Sequence, residues 1–198
     1  MSWRPTHKLS ILIPSLNERQ GTLMRLREEL DRQIGKKSVQ VLHISDDRQM
    51  SIGQKRNMLL MQSTGEYVSF VDDDDMVSAD YIEKTLAALS KNPDCSSLTG
   101  KVVFSDGYSR PFIHSLRYDR WIDDHEGKVY YRPPNHLNAV KRDIAKAVGF
   151  PSINSGEDRA FSMGIRSHLK TEGWIEGVIY NYMCRKTFEE THNNQVTR

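Results

Sequence analysis

Gly65-Glu66-Tyr67-Val68-Ser69-Phe70-Val71-Asp72-Asp73-Asp74-Asp75 is the segment on which the reading of this chain turns. Residues 67–71 form a short apolar run of strand length that ends directly in four carboxylates. Adjacent aspartates repel one another unless a cation joins them. A hard divalent ion such as Mg²⁺ or Mn²⁺ does so, because it takes oxygen ligands and is shared between carboxylates and substrate phosphates. The plainer alternative is a solvated loop in which one aspartate caps the following helix. That alternative loses weight when other polar strand ends face the same place.

Two such ends lie upstream. Residues 9–13 read as a buried strand ending at Pro14, with Ser15-Leu16-Asn17-Glu18 beyond it. Residues 39–44 read as a second strand, closed by Ser45-Asp46-Asp47. Between them, Leu23, Leu26, Leu30 and Ile34 mark a helix over 20–34 that Gly35 stops. A crowded apolar pattern predicts another helix over 54–62. After the aspartates, Ser78 is the expected cap of a helix carrying Ile82, Leu86 and Leu89, which Pro93 terminates. Strands alternating with helices imply a parallel sheet with right-handed crossovers, and such sheets gather ligands at the carboxyl ends of their strands.

The second half is less regular. A strand is expected over 98–104 and a turn over 105–107, whereas 112–134 is rich in aromatics, Arg and Asp without a period. A short apolar stretch, 137–140, leads into a helix over 141–148 that Gly149 and Pro151 end. Gly156 opens another, with Phe161, Ile165 and Leu169 four apart, and 178–183 reads as a late strand. The chain reads as one domain over 1–198: a nucleotide-binding half at 8–104, an acceptor and catalytic half at 105–185, and a polar, mobile tail at 186–198.

Composition narrows the classes. Of 198 residues, 37% are hydrophobic and 27% charged, a globular balance. Lys and Arg number 28 against 26 Asp and Glu, a net +2 that argues against broad capture of nucleic acid. Cys95 and Cys184 form at most one bridge and have no zinc-like spacing, which fits a reducing compartment. The apolar run at 9–13 is too short for a signal peptide or a membrane span, so a soluble, cytoplasmic protein is expected.

In this setting the segment 65–75 resembles the G-E-Y-hydrophobic-D-x-D-D element of family-2-type glycosyltransferases with the GT-A fold. Four further motifs follow the family's order. Ile11-Leu12-Ile13-Pro14-Ser15-Leu16-Asn17-Glu18 is similar to its opening strand, and Ile44-Ser45-Asp46-Asp47 to its second. Lys55-Arg56-Asn57 is similar to its R-N helix, and Gly156-Glu157-Asp158 to its E-D motif. The resemblance spans roughly residues 8–185. It implies an α/β GT-A fold: a Rossmann-like nucleotide-binding half with a mixed, mainly parallel central sheet flanked by helices.

It also implies a metal-dependent, inverting transfer of a sugar from a UDP-sugar to an acceptor hydroxyl, with Mn²⁺ or Mg²⁺. Pro14, Glu18 and Asp46 would hold uracil and ribose, whose N–H and hydroxyl groups suit carboxylate acceptors. Arg56 would offset phosphate charge, although its place in a polar stretch equally suits a solvated helix face. Asp74 would be the metal ligand, Asp72 and Asp73 would reach the ribose or a metal-bound water, and Asp75 would support the loop. Asp158 would be the base that takes the acceptor's proton; by composition alone the stronger reading is that Glu157 and Asp158 complement a helix N-terminus, and the resemblance reverses it.

The family often places a metal-binding His at the end of the late strand, where this chain has Tyr180-Asn181-Tyr182-Met183-Cys184-Arg185. His192, His136 or water are the alternatives for that position, and His136 equally suits a place facing a sugar. Trp121, Tyr130 and Tyr131 suit either an acceptor platform or the core. A dehalogenase-type phosphatase would carry its aspartates on the first strand, and a nucleotidyltransferase would need a glycine-rich loop after it; neither pattern is present. A nucleotide-sugar-binding module without transfer activity is the remaining alternative, and an intact Asp158 argues against it.

Overall fold

The computed structural model describes residues 4–124, 126 and 128–193, of which 192 and 193 are described by backbone alone. The first strand, β1 (His7–Leu16), runs through Pro14 rather than ending there. Its pairing with β3 (Gly65–Phe70) stops at Leu12, whereas its pairing with β2 (Val39–Asp46) continues to Leu16. Pro14 therefore has a ladder partner on one side only, where a residue without an N–H is tolerated.

Helix α1 (Gln20–Ile34) buries Leu23, Leu26 and Leu30 and stops at Gly35, as its spacing predicts. Helix α2 (Ile52–Gln62) starts two residues before the apolar pattern does, because Ser51 and Gln54 form a reciprocal capping box. A short strand β4 (Met76–Val77) precedes α3 (Tyr81–Ala88). Ser78 is not the cap of α3: Asp80 holds that position, and Ser78 Oγ donates to its carboxylate at 2.6 Å. The chain continues through β5 (Cys95–Ser96), β6 (Leu98–Val103), β7 (Ser109–His114), β8 (Ile122–Asp124) and β9 (Val129–Arg132). It then forms β10 (Val140–Lys141), α4 (Arg142–Val148), α5 (Glu157–Arg166), β11 (Glu172–Gly173), β12 (Tyr180–Met183) and α6 (Phe188–Asn193).

One sheet has the order β11-β5-β10-β3-β1-β2, with β1 parallel to both neighbours and β10 antiparallel between β3 and β5. Successive side chains of β1 face opposite layers. Leu9, Ile11 and Ile13 pack with Leu23, Leu26 and Leu30 of α1 and Ile82 of α3. Leu12 packs with Leu59 and Leu60 of α2 and Phe161 and Ile165 of α5. The expected helix-flanked, mainly parallel sheet is the one observed.

The second sheet, β4-β12-β6-β7-β9-β8, gathers the stretch that shows no period in sequence. Its strands β8 and β9 have no fully buried residues, so no apolar alternation marks them. The tail contains α6, where Phe188 packs edge-on against Phe104 at 5.3 Å and against Tyr108 at 4.7 Å between ring centres. Among the described residues no helix is long and apolar enough to cross a membrane.

Candidate functional site

The three polar strand ends do converge, and buried cations join them. Asp73, 2% exposed, accepts Ser15 Oγ at 2.7 Å and the Leu16 N–H at 3.3 Å, while Arg19 holds its other oxygen at 2.9 Å. Lys55, on α2, donates to the Ser15 carbonyl at 2.6 Å and to the Asp46 carboxylate. The second Asp46 oxygen accepts the Met50 N–H at 2.7 Å. Burial opposes ionisation of Asp46, but Lys55 and Met50 outweigh it and hold its pKa below the ordinary value. Both Asp46 oxygens thus shape the turn after β2.

Arg56 is the second buried cation and is not on a solvated face. It is 2% exposed, beside the paired rings of Phe70 at 5.9 Å and Phe150 at 5.5 Å. Its nitrogens donate to Asp72 at 2.9 Å and to Glu157 at 2.6 Å. Burial works against the charge on Asp72, yet the Arg56 guanidinium beside it holds that carboxyl well below the usual range. Asp75 is the opposite case. Burial, then the charge on Asp72, pushes it up to about 8, so it keeps its proton at neutral pH. Tyr180 donates to one of its oxygens at 2.7 Å and the Met183 N–H meets the other at 2.8 Å, which makes Asp75 a loop support.

Asp74 is partly exposed and bridged by two mobile-length side chains, Arg19 at 3.1 Å and Arg185 at 3.0 Å. Among the described residues no group of three His, Cys, Asp or Glu side chains is arranged to hold a metal ion. A cation shared with phosphates needs only one or two protein carboxylates. The hard oxygen donors of Asp72 and Asp74, at the edge of an open cavity, fit that role.

Two cavities open at these strand ends. The smaller, about 370 Å³, is lined by Pro14, Arg19, Arg48, Lys55, Asp73 and Asp74. The larger, about 580 Å³, is lined by Arg56, Trp121, Tyr130, His136, Glu157 and Asp158, among others. Ile52, Asp72 and Asn154 belong to both walls, so the cavities meet there. Glu18 lines neither; it forms an ion pair with Arg48, whose φ of 67° is unusual for a residue with a side chain.

Gly156, with φ of 83°, turns the chain into α5, so that Glu157 points to Arg56 and Asp158 lines the larger cavity. Asp158 Oδ1 accepts the Arg159 N–H at 2.7 Å. His136 reaches the same cavity because its carbonyl accepts the Phe70 N–H at 2.8 Å, seating it beside the end of β3. Burial, then Arg56, pushes its pKa below the ordinary value, so the ring is neutral at neutral pH. Its Nε2 stands 3.8 Å from Asp72. The side chain of His192 lies outside the described residues.

Sequence reasoning missed Arg19, Arg48, Asn154 and Arg185, and it quoted Lys55 without a role. Asn154 accepts the Ile52 N–H at 3.0 Å, and the Gly53 N–H reaches the Ile153 carbonyl at 3.2 Å, so the loop 151–154 is pressed onto the start of α2. A Cβ at Gly53 would lie 1.8 Å from the Pro151 oxygen. The glycine at that helix start was the available signal.

Residues 25–161, more than half of the chain, match the family described as Glycosyl transferase family 2. The chain belongs to glycosyl transferase family 2. Solved structures agree on the fold of this family 2 chain. TarS 1–349 of S. aureus in complex with UDP-GlcNAc is 16% identical, with a TM-score of 0.64 over 93% of this chain and 61% of that one. TarS 1–349 in complex with UDP gives 17% identity and a TM-score of 0.63, over 89% of this chain and 60% of that one. The mannosyltransferase PcManGT from Pyrobaculum calidifontis, in complex with GDP-Man and Mn²⁺, gives 16% and 0.55, over 91% and 57%. The chain therefore spans less than two thirds of these proteins. No curated protein matches it.

Proposed function

We propose that this family 2 chain transfers a sugar from a nucleoside diphosphate, UDP, to an acceptor hydroxyl with inversion at the anomeric carbon. The observation that carries this reading is the meeting of two cavities at Asp72 and Asn154, with Asp158 among the residues that line the larger. The nucleotide occupies the smaller cavity, where Arg19, Arg48 and Lys55 offset the diphosphate charge. The sugar passes Asp72 into the larger cavity and meets the acceptor there. The complexes of TarS with UDP and UDP-GlcNAc support UDP as the carrier. Residues 8–104 and 105–185 serve as donor and acceptor halves of one domain.

Asp158 takes the proton of the acceptor hydroxyl as that oxygen bonds to the anomeric carbon. The bond from that carbon to the diphosphate oxygen breaks, and its electron pair leaves with the nucleoside diphosphate. Glu157 and Arg56 position Asp158 through the first turn of α5, and the cavity walls hold the two reactants together, which removes much of the entropic barrier. Asp74, with Asp72 beside it, would hold a divalent cation, Mn²⁺ or Mg²⁺, which neutralises charge on the departing diphosphate when bound. The Mn²⁺ in the PcManGT complex supports that choice of ion.

Calorimetry of UDP binding, with and without Mn²⁺, tests the site: binding that requires Mn²⁺ and is lost in Asp74→Ala is expected. UDP binding unaffected by both, or absent, overturns the reading. Asp158→Asn should keep UDP affinity and lose transfer, and a product of retained configuration would overturn inversion.

A further inference from the structure

Folding leaves the hydrogen bonding of His136 incomplete. The residue is 6% exposed and lines the larger cavity, yet neither ring nitrogen makes a hydrogen bond among the described residues. Nε2 is 3.8 Å from Asp72 Oδ2, too far for one. The neighbouring polar groups are served: His114 Nδ1 meets Asn135 Oδ1 at 3.1 Å, and that same oxygen accepts the Leu137 N–H at 3.0 Å. Buried polar atoms without partners are rare in native folds, and each calls for an explanation. Here the ring borders an open cavity beside Asp72, one of the three residues common to both cavities.

We infer that His136 reads the transferred sugar, one ring nitrogen donating to Asp72 and the other accepting a hydroxyl or amide hydrogen of that sugar. A neutral imidazole has one donor and one acceptor, which matches these two tasks. The second torsion of His is broad, so a small turn of the ring closes the distance to Asp72. The inference rests on the proposed assignment of nucleotide to the smaller cavity and sugar to the larger. A diphosphate there delivers its sugar past Asp72, against the wall that carries His136.

The test is calorimetry with Mn²⁺ present, using UDP alone and a panel of UDP-glucose, UDP-galactose and UDP-GlcNAc. The native chain should bind one UDP-sugar more tightly than UDP. His136→Ala should weaken that UDP-sugar on the order of tenfold and leave UDP within about twofold. His136→Asn, which keeps a polar atom near the ring's first nitrogen, should recover part of the loss. It also serves by itself if His136→Ala does not fold. An equal loss for UDP and UDP-sugar would make His136 a metal or structural residue and overturn the inference. So would no loss for either, or no sugar in the panel improving on UDP. Failure of the native chain to bind UDP would instead remove the proposed function, and this inference with it.

Discussion

Arg56 on α2 donates to Glu157 at 2.6 Å, across 101 residues of sequence, and so fixes the first turn of α5 against the end of β3. Both partners are almost fully buried, at 2% and 7% side-chain exposure. Removing one member strands the other charge in a poorly solvated place. Arg56→Met should therefore destabilise the fold by about 3–5 kcal/mol in urea titrations. Adding Glu157→Gln to it should recover part of the loss. A single variant as stable as the native chain would show that the pair is no brace.

The pair between Arg185 and Asp74 should behave differently, because Arg185 is 68% exposed. Exposed pairs contribute roughly 0–1 kcal/mol. Arg185→Ala is expected to leave the melting temperature where it is. Scanning calorimetry decides this, and a clear drop would mean that the tail depends on that contact.

Asp75 gives the chain a pH signature. Its pKa rises from the ordinary 3.8 to about 8 on folding, so the folded state holds a proton that the unfolded chain releases. Stability from this group is complete below about pH 4 and is lost as pH rises towards 8. Asp75→Asn, which keeps the shape without the titration, should gain on the native chain steadily from pH 5 to pH 8. Parallel melting curves across that range would contradict the assignment.

At Gly53 a methyl group would meet the Pro151 backbone oxygen at 1.8 Å, and backbone yields poorly. Gly53→Ala should push the 151–154 loop off α2, break the contact from Asn154 to Ile52, and cost roughly 1–3 kcal/mol. UDP affinity should fall with it, since Asn154 lines both cavities. Unchanged affinity in a folded variant would remove Asn154 from the site.

The parallel half was legible because its signals are local. The stripe of Leu23, Leu26 and Leu30 and the apolar runs of β1, β2 and β3 each state one periodicity over a few residues. Asp72 to Asp75 were legible as a group but not as individuals. Asp73 and Asp75 are closed by hydrogen bonds, Asp72 is braced, and Asp74 reaches outward to Arg19 and Arg185. Those fates depend on Ser15, Arg56, Tyr180 and Arg185, far apart in sequence. Lys55 and Arg56 look like surface residues in any local window, and only the fold shows two buried cations side by side on α2. In the second sheet β6 and β12 were legible as apolar runs, whereas β8 and β9 were not: Ile122, Asp124 and the four residues of β9 are all half-buried, so hydrophobicity does not alternate there.

The partners of Asp75 come 105 and 108 residues after it, and Glu157 comes 101 residues after Arg56. On a ribosome, β1, β2 and β3 emerge with their helices long before these groups exist. The newly made half then carries a knot of like charges that Arg19, Arg48, Lys55 and Arg56 soften in part. Contacts of such long sequence separation form slowly. Synthesis thus produces a scaffold early and its chemistry last, and a chain halted before Tyr180 would have the sheet's core strands without a settled acidic rim.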